Sequence, residues 1–146
     1  MVHALEEIQR LLKPDGCLID IYSIHEARLI KVYHGNDILF VEPDPSYCGK
    51  DSRQWEDALA QVVQRGLFAI ERDSEFDLAV YGSSVAELQE FYDELEAYDD
   101  SPVDEAVEAR AKELYNRVEN IMQAVGDGAQ VAYHERARIT RLRPVR

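Results

Sequence analysis

The chain has 146 residues, 46% of them hydrophobic, and a formal net charge of −13. This length and apolar fraction predict a single folded domain over residues 1–146 and exclude an intrinsically disordered chain. No run of 18 apolar residues occurs, and the charge is strongly acidic, so neither a membrane nor a nucleic acid is expected as a partner.

The N-terminal part of the chain has the pattern of a helix, a strand and a hairpin. A helix is predicted over residues 3–12, with an apolar face of Leu5, Ile8, Leu11 and Leu12, and Pro14 ends it. The apolar run at residues 17–22 is typical of a strand buried on both faces. Two β-rich runs flank small turn residues at 34–37 and predict a hairpin over residues 28–41.

The middle of the chain continues with a second helix and a long extended segment. Asp51 and Gln54 form a capping box that begins a helix, and Gly66 is a natural stop. Residues 67–81 then alternate apolar and polar side chains except at residues 72–75. That polar stretch is interpreted either as a bulge in one long strand or as the tip of a hairpin.

Two further helices are predicted after this segment. Ser84 and Glu87 form a second capping box, which begins a helix over residues 85–98. Its expected buried stripe consists of Val85, Leu88, Phe91, Tyr92 and Leu95. Ser101 is predicted to cap the longest helix, which has Pro102 at its first position and runs to about residue 125.

The longest helix has a narrow apolar row with spacings of four and three residues, which suits packing against another helix. The row consists of Val107, Ala111, Leu114, Val118, Ile121 and Val125. A final strand is predicted over residues 130–142. Together the elements indicate an α+β fold, with a mixed, largely antiparallel sheet packed by three to four helices.

Several of these segments resemble the C-terminal half of class I S-adenosylmethionine-dependent methyltransferases. Leu12-Lys13-Pro14-Asp15-Gly16 is similar to the LKPGG turn before the family's fifth strand, with Asp15 in place of the first glycine. Residues 67–95 resemble the sixth strand and its helix, and residues 132–146 the closing seventh strand. The resemblance implies a methyltransferase-like scaffold.

The same resemblance implies that the cofactor site is missing. The family binds S-adenosylmethionine on a glycine-rich turn after a first strand, in the half of the domain that precedes the resembling segments. The one Gly-x-Gly here, at residues 126–128, follows a helix and precedes a strand, so it is interpreted as a cap and turn. No cofactor, no cofactor-binding residue and no catalytic residue is therefore assigned.

Other residues with chemical potential are few. Asp20, near the end of the first strand, is a candidate general base, although capping or surface solvation is favoured. His25 and His34 are expected roughly 30 Å apart on an extended strand, so no metal site is predicted. Cys17 and Cys48 lack metal or disulfide spacing, which predicts free thiols, and Cys48 has no neighbour that would make it a nucleophile. The N-terminus lacks a signal-peptide pattern, and a cytoplasmic location is expected.

Charge and aromatic residues are unevenly distributed. Residues 73–109 contain 13 acids and no Lys or Arg, whereas the last eleven residues contain Arg136, Arg138, Arg141, Arg143 and Arg146. We expect this basic end to lie near the acidic helices or in solvent rather than to bind phosphate. Tyr81, Tyr92, Tyr98, Tyr115 and Tyr133 are interpreted as half-buried core edge in preference to a ligand or partner cluster.

Three functions remain open. The first is a methyltransferase-like binding or accessory module that does not catalyse alone. The second is a truncated or split portion of an active methyltransferase, and the third is an acidic protein-interaction module that binds a basic partner. A sheet without its parallel half exposes an edge, so we expect a homodimer that buries either the hairpin of residues 28–41 or the apolar row of residues 107–125.

Overall fold

A computed structural model describes residues 1–24, 26–46, 50–95 and 104–146. The elements in chain order are α1 (Val2–Leu11), β1 (Leu18–Ser23), β2 (Leu29–His34), β3 (Asp37–Pro43), α2 (Lys50–Gln64), β4 (Phe68–Gly82), α3 (Val85–Leu95), α4 (Glu105–Val125) and β5 (Ala129–Pro144). In the five-stranded sheet, β5 pairs with β1, β2 and β4, and β3 pairs with β2. The predicted α+β class, with four helices and a largely antiparallel sheet, is confirmed.

The chain divides into two compact units, each made from separate segments. Unit 1 comprises Met1–Glu26, Gly49–Asp77 and Arg136–Arg146, and unit 2 comprises Ala27–Cys48 and Leu78–Glu135. Both β4 and β5 contribute residues to each unit. The division therefore does not separate an N-terminal from a C-terminal half.

Unit 1 has its core where α1 and α2 pack on the sheet. Leu5, Val62, Phe68 and Leu142 are buried there, with Ala58 and Leu59 beside them. The prediction that β1 is buried on both faces is wrong, because Ile19 is 49% and Ile21 59% exposed. The helices cover only the face that bears Asp20, and alternation along a strand places the two isoleucines on the other.

β4 is one strand of 15 residues, so residues 72–75 are not the tip of a hairpin. Its acids pair with β5: Glu71 bonds Arg141 and Arg143, and Glu75 bonds Arg136 and Arg138. As residue numbers rise along β4 they fall along β5, so the two strands are antiparallel. The basic end therefore pairs with acids of a strand, and not with the acidic helices as expected.

Unit 2 has its core between β2, β5 and the helices α3 and α4. Ile30, Val32, Val131 and Tyr133 of the sheet are buried against Val85 and Leu88 of α3 and Leu114 and Val118 of α4. The apolar row of the longest helix thus packs inside the chain, where Ala111, Leu114 and Val118 are 5%, 2% and 0% exposed. That row is not available as a dimer interface, which corrects one of the two predicted interfaces.

Capping patterns in the sequence predict the helix starts of unit 2 only in part. Ser84 accepts a hydrogen bond from the Glu87 N–H at 3.2 Å, as predicted, but Glu87 accepts from the N–H and hydroxyl of Ser83 rather than Ser84. The helix predicted to start at residue 102 starts at Glu105. Asp104 is its N-cap, in an extended conformation, and accepts from the N–H groups of Ala106 and Val107. Ser101 and Pro102 lie outside the described residues.

Two smaller predictions are also corrected. Leu11, expected on the apolar face of α1, is 70% exposed, and Phe91, expected in the buried stripe of α3, is 42% exposed. Each residue lies near the border of its helical stripe, where a shift of one position changes exposure.

Candidate functional site

The candidate general base Asp20 lies within β1, in unit 1, and only 6% of it is exposed. Both of its carboxylate oxygens accept from the indole N–H of Trp55, at 2.8 and 2.9 Å. Burial raises the pKa of this carboxyl above its ordinary value, and the indole bond opposes that rise. Neither capping nor surface solvation describes Asp20. Instead, it fixes α2 to the sheet through Trp55.

The other residues singled out from the sequence do not converge on a site. Gly126 is the C-cap of α4, and both Gly126 and Gly128 have positive φ, as a cap and turn require. His34 ends β2 beside Gly128, while His25 and Cys48 lie outside the described residues.

The described segments contain neither a cluster of metal ligands nor a membrane-spanning helix. In residues 1–24, 26–46, 50–95 and 104–146, no three His, Cys, Asp or Glu side chains come together as metal ligands would. No helix in that part of the chain is long and apolar enough to cross a membrane.

Sequence reasoning missed a buried polar cluster in unit 2. Arg28, just before β2, is 4% exposed, and its guanidinium lies 4.2 Å from the ring centres of both Tyr92 and Tyr133. Its Nη2 bonds Asp44, just after β3, at 2.7 Å, and its Nη1 lies 3.8 Å from Glu135. Tyr92 and Tyr133 of the expected tyrosine core edge therefore flank a buried cation, whereas Tyr81 is 54% exposed and Tyr98 lies outside the described residues.

The cluster satisfies its charges internally. The hydroxyls of Tyr115 and Ser46 donate to Asp44, and Tyr92 donates to Glu135. Burial acts to lower the pKa of Arg28, but the charge and hydrogen bond of Asp44, together with the nearby Tyr133 and Tyr92, outweigh it, and the net pKa is raised. A buried network of paired charges of this kind stabilises the base of the β2–β3 hairpin. We interpret the cluster as structural because its polar groups face one another.

The hairpin held by this cluster presents an unusual apolar surface. A register shift between Val32 and Tyr33 pairs Tyr33 with Ile38 and Lys31 with Val41. Directly opposed residues of an antiparallel pair share a face, and so do residues two apart on one strand. The bulge thus brings Ile38 and Val41 onto the same face, opposite the buried Ile30 and Val32.

Aromatic residues extend this surface across unit 2. The Tyr33 ring lies 5.8 Å, centre to centre, from both Tyr81 and His134, and its hydroxyl is hydrogen-bonded to His134 Nε2 at 2.7 Å. Ile38, Val41 and Tyr81 are 55%, 50% and 54% exposed. We call the surface formed by Tyr33, Ile38, Val41, Tyr81 and His134 the outer face.

The outer face differs in charge from the rest of the chain. Its five residues include no carboxylate, and Lys31 lies among them on β2, although the chain contains 29 acids. Glu42 instead pairs with Ile30 on the opposite side of the hairpin and forms a two-bonded ion pair with Arg117. The outer face is thus apolar and aromatic, which is typical of an interaction surface rather than of a catalytic site.

Comparison with family models, with curated proteins and with solved structures finds no match to this chain. The assignment of a function therefore depends on the surfaces and contacts described above. The sequence signal for the outer face was present in part, since the hairpin of residues 28–41 was one of the two predicted interfaces.

Proposed function

We propose that this chain is a methyltransferase-like protein without its own S-adenosylmethionine site, which acts as a non-catalytic, homodimeric binding or accessory module in the cytoplasm. The proposed dimer depends on the outer face, where Ile38, Val41 and Tyr81 are 55%, 50% and 54% exposed. Covering such surface is favourable by about 25 cal/mol per Å². Contiguous exposed apolar residues on a charged protein are typical of interfaces.

The charge distribution favours a second copy as the occupant. Two chains of net charge −13 repel each other at a distance, and the repulsion is least where carboxylates are absent. Ile38 and Val41 meet that condition, whereas Tyr81 at the edge of the outer face also borders Glu87, Glu90 and Glu94 of α3. A two-fold axis would place Ile38 and Val41 of both copies in one shared contact, the commonest arrangement of a homodimer.

The elements of unit 1 support the methyltransferase-like ancestry. α1 and β1, then α2 and β4, then β5 occur in the order that the resemblance implies. β1 and β4 are both antiparallel to β5 and hence parallel to each other, with α2 in the connection between them. Among the described strands β1 and β4 pair with β5 and not with each other, and their connection also contains the β2–β3 hairpin. Two strands of one direction with a helix in their connection are nevertheless typical of α/β enzymes and unlike a simple antiparallel meander.

Two measurements on the purified chain test the proposal. Light scattering should give a mass near 33.4 kDa, twice the 16.7 kDa of one chain. Calorimetric titration with S-adenosylmethionine should show no binding at micromolar concentrations. A 16.7 kDa particle would contradict the dimer, and micromolar binding of the cofactor by this chain alone would contradict the lack of a cofactor site.

A second candidate is a portion of a split methyltransferase, and the free edge of β1 favours it. Among the described strands β1 pairs with β5 alone, so its other edge can accept a further strand. Such a strand would come from a polypeptide with a glycine-rich strand-turn-helix. Co-purification of this chain with such a polypeptide, together with methyl transfer by the pair, would favour this candidate over the accessory module.

The third hypothesis, an acidic module for a basic partner, has less support. Asp73 and Glu75, at the start of the acidic region, already pair with Arg138 and Arg136 of the same chain. Acids further along, such as those of α3, remain for a partner. A protein partner is therefore proposed through the outer face or the β1 edge before the acidic region.

A further inference from the structure

The second face of the unit 1 sheet has a shallow depression of about 310 Å³. It is lined by residues of three strands: Ile19 of β1, Arg72 and Ser74 of β4, and Ile139 and Arg141 of β5. This volume is at the lower end of the range of about 300–1,000 Å³ that small-molecule sites occupy.

The floor of the depression is apolar and lies open to solvent. Ile19 is 49% exposed, and Ile139 is half-buried beside it. Ile21, directly opposite Ile139 in the β1–β5 ladder, is 59% exposed and continues the same apolar strip. A ligand with a hydrocarbon body would remove this surface from water, which is favourable.

The walls of the depression are cationic, in contrast to the acidic chain. Two arginines and no carboxylate line it. Arg141 is bonded through Nε to Glu71 at 3.0 Å, while half of its side chain remains exposed. Arg72 makes no hydrogen bond or ion pair with the described residues, unlike Arg136, Arg138, Arg141 and Arg143 of the neighbouring strand.

Strand geometry explains why Arg72 differs from those arginines. It lies between Glu71 and Asp73 in sequence, and side chains alternate between the faces of a strand. Glu71 bonds Arg141, which itself lines the depression, whereas Asp73 meets Thr140 and Arg138 on the face that bears Asp20. Arg72 therefore points to the opposite face, together with Ser74, where its neighbours are Ile19, Ile139 and Arg141.

We propose that this depression binds a small amphiphilic carboxylate. The apolar body lies over Ile19 and Ile139, and the carboxylate bonds the Arg72 guanidinium, with Arg141 as a second donor and Ser74 as a neutral one. Charge argues against a second copy here, because a two-fold contact would bring the arginines of both copies together. The site lies in unit 1 and does not depend on the proposed dimer, which uses unit 2.

The test is a titration of isoleucine-methyl-labelled full-length chain, followed by NMR, with sodium hexanoate as the probe. Hexanoate should shift the Ile19 and Ile139 methyl signals to saturation. Acetate has the charge without the apolar body, and 1-hexanol has the apolar body without the charge, so each should need a concentration about ten-fold higher. Arg72→Gln should weaken hexanoate about ten-fold, the loss expected for one charge-assisted hydrogen bond.

A matched variant and the opposing outcomes complete the experiment. Arg10→Gln removes an exposed arginine of α1 in the same unit and should leave the hexanoate affinity unchanged. The proposal is wrong if the shifts do not saturate, if 1-hexanol binds as tightly as hexanoate, or if Arg72→Gln and Arg10→Gln behave alike. It is also wrong if the same methyl signals respond to protein concentration instead of hexanoate, because a second copy would then be the occupant.

Discussion

Arg28 and Asp44 are joined across the base of the β2–β3 hairpin by a buried ion pair with an N–O distance of 2.7 Å. The backbone supports the same closure, since the Asp44 N–H donates to the Arg28 carbonyl at 2.8 Å. This pair fixes the hairpin whose opposite side forms the outer face. Its integrity is therefore a condition for the interaction surface on which the proposed function depends.

Removal of one partner of this pair should destabilise the fold strongly. Arg28→Met leaves Asp44 as a buried carboxylate without its cation, and we expect the free energy of unfolding to fall by about 3–5 kcal/mol. Urea denaturation measures this change. Arg117→Met, which breaks the exposed pair with Glu42 on the same hairpin, is the matched control and should have a much smaller effect. Equal losses would show that the buried pair has no special importance.

Asp20 should make stability depend on pH with a defined sign. Its folded pKa is raised by burial, so the folded chain holds the proton more tightly than the unfolded chain does. The contribution of Asp20 to the free energy of unfolding is therefore least favourable at high pH. It becomes more favourable as the pH falls through the folded pKa toward the unfolded one. Asp20→Asn removes the desolvated charge, keeps an oxygen for Trp55, and should raise the free energy of unfolding at pH 7.

The pH profile of that difference is the decisive observation. Urea denaturation of both proteins from pH 8 downward should show the advantage of Asp20→Asn shrink as the wild-type carboxyl becomes protonated. Trp55→Phe removes the N–H that opposes the shift, so the pH dependence should become steeper. A difference between Asp20→Asn and wild type that stays constant with pH would contradict this account of the buried carboxyl.

The start of α4 depends on one side chain. Asp104 accepts from two N–H groups of the first helical turn, and Asp104→Ala leaves both without that acceptor. We expect a loss of about 0.5–2 kcal/mol in the free energy of unfolding. Asp104→Asn retains a side-chain oxygen and should lose less. Equal losses in the free energy of unfolding would show that the charge of Asp104, rather than its capping oxygen, stabilises the helix start.

The turn of the hairpin offers a purely backbone test. Gly35 has φ of 59°, and a Cβ added there would meet no atom within 4 Å. Gly35→Ala should therefore cost about 1–2 kcal/mol through the left-handed conformation alone. Gly35→Asn should cost less, because Asn tolerates that region better. Thermal unfolding of the three proteins ranks them, and an unchanged Gly35→Ala would be inconsistent with this turn geometry.

Local signals predicted most elements of this fold. The helix before Pro14, the hairpin around Gly35 and the cap at Gly126 depend on residues that act within a few positions of themselves. Such signals need no knowledge of what packs against them. For the same reason the α+β class followed from the sequence.

Long-range contacts were beyond prediction from one sequence. β4 is a single strand because its polar middle meets arginines on β5, more than sixty positions away in the chain. Arg28 is buried because Tyr92 and Tyr133 flank it, and no local pattern marks that pairing. The exposure of Ile19 and Ile21 likewise depends on which face the helices cover. All three features depend on which distant residues come into contact when the chain folds.

The outer face can be tested by charge insertion with a matched control. Val41→Lys places a cation at the centre of the proposed contact, whereas Leu11→Lys alters an equally apolar, 70% exposed residue of α1, outside that face. Both side chains are exposed, so neither variant should disturb the fold, which thermal unfolding verifies.

Sedimentation velocity of these three proteins over a range of concentrations is the most direct measurement of the central claim. We predict a 33.4 kDa particle for wild type and for Leu11→Lys, and a 16.7 kDa particle for Val41→Lys. A monomeric wild type, or a Val41→Lys variant that remains dimeric, would contradict the assignment of the outer face as the place where two copies meet.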